Sequence, residues 1–153
     1  MHFDKQAMFS TNQALTTGTQ RSTDVIDLWG GNAGGTDANG NTLLRDLMRS
    51  PAVDVGIQVT EDFTAGTNET FNLITGLDGD PTVGSPTVIA TSGAVVEAAL
   101  KKGKQVLIAI PPLPATARYL ALQGVASGTH STGKIMAGLI ATTGRASPPG
   151  AIS

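Results

Sequence analysis

Apolar and polar residues alternate with a period of two along much of the chain. The clearest run is "VDVGIQVTEDF", residues 53–63, where Val53, Val55, Ile57 and Val59 share one face and Asp54, Gly56, Gln58 and Thr60 the other. That spacing predicts a half-buried antiparallel strand, because successive side chains of an extended chain point to opposite sides. "AGTN" turns the chain, and "ETFNLITGL" resumes the alternation through Phe71, Leu73, Thr75 and Leu77. "SPTVIATS" and "KQVLIAIP" are two more short apolar runs bounded by Pro or Gly. "ARYLALQGVA" and "KIMAGLIA" read as a closing hairpin across "SGTHSTG", and "QALTT" and "STDVIDLW" as two early strands separated by "GTQR".

About eight strands with turn signals roughly every ten residues predict an all-β fold, a jelly roll or two-sheet antiparallel sandwich. The alternation places Val55, Ile57, Val59, Phe71, Leu73, Leu120, Leu122, Ile135 and Leu139 in the core. Helix is a minor component. "NTLLRDLMRS" suits one or two turns halted at Ser50-Pro51, and "AVVEAALKKG" one turn closed by Gly103. The chain, residues 1–153, reads as a single domain. Its irregular arms are the N-terminal segment 1–12, the Gly-rich loop 30–41 and the tail 142–153.

Composition sharpens this picture. Aromatic residues make up 4% of the 153, so aliphatic side chains must carry most of the core, and charged residues make up only 14%. A surface rich in Gly, Thr, Ser and Asn suits one that rests against other protein. The net charge is −2, and the longest basic run is Lys101-Lys102. That argues against nucleic-acid binding, which needs clustered cations. The absence of Cys removes disulfides, thiolate nucleophiles and zinc ribbons. "MHFDKQAMFS" lacks the pattern of a secretion signal, and no run is long and apolar enough to span a bilayer as a helix. These features predict a soluble protein made in the cytoplasm.

Candidate chemistry is sparse. The two histidines are His2 and His130. His130, within "SGTHSTG", reads as a solvated turn residue, and two histidines fall short of the ligand set of a metal-bearing jelly roll. Asp78 and Asp80 in "LDGDP", and Glu61 and Asp62 in "TEDF", resemble fragments of a calcium loop. The third ligand and the bidentate Glu are missing, and Asp-Gly and Asp-Pro are favoured turn pairs for local backbone reasons. GxSxG, P-loop and GxGxxG signatures are absent from the sequence. Lys101, Lys102 and Lys104 read as a solvated turn. The expectation is a protein that is not an enzyme and that holds neither metal nor cofactor.

Partner contacts are the remaining candidates. Phe3 and Phe9 are two of the five Phe and Trp residues, and with Met8 they sit in a segment too short to build a core of its own. Exposure of each large apolar side chain would forgo roughly 1.5–3 kcal/mol of burial, so these residues either fold back onto the sandwich or bury in a neighbour, and the segment is expected to lie against another chain. Trp29, at the mouth of the Gly-rich loop, reads either as a core or edge residue or as an interface anchor. Fixing that loop costs about 1–2 kcal/mol per residue, so it is either a tolerated surface insertion or an arm whose Gly31, Asn32, Asp37 and Asn39 order against a partner.

"FDKQAMFSTNQALT", "QVTEDF" and "ARYLALQGVASGTHSTGKIMAGL" together resemble the capsid cement (decoration) proteins of a group of tailed bacteriophages. The likeness spans Phe3–Thr17, Val53–Thr75 and Ser85–Leu139. The loop Gly30–Asn41 and the tail after Ile140 are longer than the family pattern. The resemblance implies a jelly-roll protein on the exterior of the virion. It also implies a homodimer that bridges neighbouring major capsid subunits and stabilises the shell. The alternative from another class is a carbohydrate- or receptor-binding virion module. The scarcity of aromatic platforms, one Trp and one Tyr, disfavours it.

Overall fold

The computed structural model describes residues 7–28, 53–82, 86–111 and 118–141. These hold nine strands: β1 (Met8–Ala14), β2 (Thr19–Arg21), β3 (Ile26–Asp27), β4 (Val53–Thr64), β5 (Asn68–Gly76), β6 (Thr87–Val96), β7 (Gln105–Ala109), β8 (Tyr119–Ser127) and β9 (Thr132–Ala141). One sheet runs β1-β9-β4-β7. The other runs β2-β8-β5-β6, with β3 also on β8. All pairings are antiparallel. With β2 and β3 taken as one interrupted strand, this order is the double Greek key of a jelly roll. The all-β sandwich expected from the alternation is the fold of the protein.

The inward faces meet in one core that includes Phe9, Val55, Ile57, Val59, Phe63, Phe71, Leu73, Leu120, Leu122 and Ile135. Leu139 is only partly buried, packed against that core. Ile74 and Ala121, paired across β5 and β8, are also fully buried, although alternation turns them away from the core.

Several local expectations need correction. The closing strands β8 and β9 are not a hairpin, because they lie in different sheets. The same is true of β4 and β5, joined at "AGTN". Each connection is an arch that crosses the core. Alternation specifies which side chains point inward, and it is the same whether two strands lie side by side or face each other. "GTQR" is not a spacer, since Thr19–Arg21 pairs with Gln123–Val125 as β2. The first strand begins at Met8, earlier than "QALTT". In "AVVEAALKKG", Ala94–Val96 ends β6 and only Glu97–Ala99 forms a 3-10 turn. Gly103 closes the following turn with φ of 92°. The segment "NTLLRDLMRS" lies outside the described residues.

The connections β1–β2, β4–β5, β6–β7 and β8–β9 gather at one end of the sandwich and are tied by backbone hydrogen bonds. His130 N–H donates to Thr16 O (2.7 Å), Ser131 N–H to Thr64 O (2.8 Å) and Thr67 N–H to Ser127 O (2.9 Å). Glu97 N–H donates to Thr67 O (3.0 Å), and Phe63 N–H to Leu100 O (3.0 Å). Backbone groups that leave the sheet ladders are thus satisfied by neighbouring arches.

Candidate functional site

The sequence-predicted contact residues separate. Met8 is half-buried at the start of β1. Phe9 is fully buried in the core, so the expectation that it faces a partner is corrected. The strand starts at Met8, five residues before the Gln13 that the sequence suggested, and it turns Phe9 inward, where it belongs to the sandwich. Phe3, Trp29, Gly31, Asn32, Asp37 and Asn39 lie outside the described residues.

Asp78 and Asp80 act as turn carboxylates. Asp80 N–H donates to Asp78 Oδ1 (2.9 Å), while Thr82 N–H (3.1 Å) and its hydroxyl (2.6 Å) donate to Asp80 Oδ1. Arg21 Nε completes the contact at 3.2 Å. The Thr82 donors, followed by the Arg21 charge, hold the Asp80 carboxyl below its ordinary value. Lys101 reaches Glu97 (3.4 Å) and Phe63 O (3.3 Å) from an exposed turn. At the other end of the sandwich, Arg118 Nε donates to Asp27 Oδ1 and Nη2 to Asp27 Oδ2, each at 3.3 Å, a two-pronged pair. The same guanidinium lies 4.8 Å from the centre of the Tyr119 ring.

His130 overturns its sequence reading most clearly. It is not solvated: its side chain is 0% exposed, and its Nε2 lies 3.3 Å from Glu69 Oε2, whose side chain is 1% exposed. The ring stands edge-on to Phe63, with centroids 5.0 Å apart. Glu69 Oε2 and both His130 nitrogens have no hydrogen-bond partner of good geometry among the described residues. Two glycines make room for the pair. A Cβ at Gly66 would lie 2.1 Å from His130 Nδ1, and one at Gly124 would lie 2.6 Å from Glu69 Oε1. Burial pushes the Glu69 carboxyl up to about 7. The local sequence "SGTHSTG" reads as an exposed turn because turn-forming residues are usually solvated. Only the neighbouring arches, closing over the loop, bury it. Alternation in "NETFNLI" does put Glu69 on the face of Phe71 and Leu73, a signal of an inward acid that went unread.

A second feature invisible to the sequence is an edge. β6 borders the five-stranded sheet and β7 the four-stranded sheet. β6, "TVIATSGAVV", carries no charged residue, and Val88 and Val96 are 49% and 59% exposed. Leu107 on β7 is 52% exposed. Among the described residues no strand pairs with the outer side of β6, and an uncharged edge of this length is a template for pairing with another chain. The bulge at Ser92-Gly93 interrupts it: Gly93 has φ of 70°, and Phe71 N–H bonds the Ser92 hydroxyl instead of a backbone carbonyl.

The Bbp16 family model matches residues 9–139. The chain belongs to the Bbp16 family. The match runs from Phe9 in β1 to Leu139 in β9, so the family unit is the sandwich itself. No curated protein matches this Bbp16-family chain.

Proposed function

We propose that this Bbp16-family protein is a structural virion component. In this reading it binds the outer surface of a phage head as a homodimer, bridges major capsid subunits and carries out no catalysis. The reading rests on the resemblance of "FDKQAMFSTNQALT", "QVTEDF" and "ARYLALQGVASGTHSTGKIMAGL" to phage cement proteins. Those segments include β1, part of β4, and β8 and β9 with their arch, so the resemblance follows the frame of the sandwich. The uncharged, partly apolar rim formed by β6 and β7 supports a product that is a surface. Several weak footholds on a fixed lattice would make dissociation rare, and binding only the assembled shell would stabilise it by mass action. The carbohydrate-binding alternative gains nothing from Tyr119, because Arg118 covers one face of its ring.

The test is co-sedimentation of the purified protein with intact phage heads and, separately, with polysaccharide. Retention by heads alone is expected, and retention only by polysaccharide would overturn the reading. Deletion of Gly31–Asn39, Phe3→Ser, and the double change Val96→Lys with Leu107→Lys then report which surface carries the contact. Phe9→Ser is unsuitable for this purpose, since it opens the core.

A further inference from the structure

We propose that Glu69 and His130 form a one-proton clasp that holds three arches together at one end of the sandwich and weakens as rising pH removes that proton. Three observations carry this. The two side chains are buried from solvent and meet at 3.3 Å. Glu69 Oε2 and both His130 nitrogens otherwise lack partners among the described residues. Gly66 and Gly124 leave space that the imidazole and the carboxyl occupy.

One proton between Oε2 and Nε2 satisfies both atoms. Either the carboxyl O–H donates to Nε2 of a neutral ring, or the N–H of an imidazolium donates to the carboxylate, and both forms leave the pair without net charge. The clasp joins separate segments. His130 belongs to the β8–β9 arch, and its N–H bonds Thr16 O in the β1–β2 arch. Its ring lies over Gly66 of the β4–β5 arch, and Glu69 lies in the second residue of β5. Removal of the proton leaves a net negative charge in a site without water access, which the fold must carry at a cost.

Glu61, Asp62, Glu97, Lys101 and Lys134 on the adjoining elements are partly or fully exposed and engaged elsewhere. On β4, Glu61 pairs with Lys134 of β9 at 2.9 Å, and Asp62 accepts the Lys102 N–H. From the 3-10 turn, Glu97 pairs with Lys101. β1 and β6 carry no titratable side chain, and Glu69 is the only one on β5. None of these forms a second ion pair with Glu69 or His130 among the described residues.

The sign follows from linkage. A carboxyl held at about 7 in the folded chain and 4.5 in the unfolded one makes the native state bind more protons between those values. Its contribution is complete below the unfolded value and is lost as pH rises through the folded one. The melting temperature of the wild-type protein should therefore carry a Glu69-dependent fall of roughly 5–10 °C between pH 5 and pH 8. Glu69→Gln, which stays neutral and keeps a donor near Nε2, should lack that fall and melt higher than wild type at pH 8. Parallel wild-type and Glu69→Gln profiles would overturn the clasp. Should the variant fail to fold, the wild-type chain still decides. The Glu69 side-chain carboxyl ¹³C shift should titrate near neutrality, and a midpoint in the ordinary carboxylate range would overturn the proposal.

Discussion

Glu69 and Asp80 are two carboxylates flanking the same strand, one near the start of β5 and the other in the turn after it. Their environments are opposite. Glu69 is 1% exposed beside His130, and burial raises its pKa; Asp80 is 45% exposed, and Thr82 and Arg21 lower its pKa. The difference lies in how the two ends are built. At the arch end, four connections cross between sheets, cover one another and exchange backbone hydrogen bonds. The turn after β5 instead leads back within one sheet to β6, so its carboxylates stay in water and bond their own backbone. One end stores a polar group inside the fold, and the other solvates it.

The largest test of this contrast is Phe63→Ala. Phe63 is fully buried, packs edge-on to His130 and lies where a Cβ at Gly133 would stand, at 2.5–2.7 Å. Its truncation should cost about 3–5 kcal/mol in urea unfolding and admit water to the pair. A loss below about 1 kcal/mol would mean that the arch end is loosely packed. Next comes Gly66→Ala, which forces the His130 ring aside and should cost about 1–3 kcal/mol. Gly79→Ala is its counterpart in the solvated turn, where nothing lies within 4 Å of the new methyl. It should stay within about 0.5 kcal/mol. Equal effects at the two glycines would erase the contrast.

A smaller effect is expected at Ala65, which has φ of 70° in the β4–β5 arch. That backbone region costs an L-residue roughly 1–2 kcal/mol, part of which glycine's extra unfolded freedom offsets. Ala65→Gly should raise stability by about 0.5 kcal/mol, read from the same denaturation curves. The smallest effect belongs to Asp80→Asn. With its folded pKa lowered, Asp80 contributes stability above its unfolded value and loses it as pH falls through the folded one. Wild type and Asp80→Asn should therefore coincide in acid and differ slightly at neutral pH, with the gap shrinking in high salt. A salt-insensitive gap would place this carboxylate in a drier setting than its exposure implies.

Much of the frame was legible along the chain. Period-two alternation in "VDVGIQVTEDF" and "ETFNLITGL" located β4 and β5 and the inward set from Val55 to Leu73, because a pleated strand presents alternate residues to one side. The turn roles of Asp78 and Asp80 were legible too, since short acidic side chains reach their own backbone two residues on. Those are local properties, set by residues within a few positions of one another. Three features depended on the packed molecule: β8 and β9 face each other across the core, β6 and β7 lie at the sheet edges among the described residues, and His130 is buried. The physical reason is the same in each case. Strand pairing partners and the cover over a loop are contacts between segments tens of residues apart, such as Glu69 with His130 or Thr16 with His130. Alternation within one segment is compatible with any of the partners that complete its hydrogen bonds.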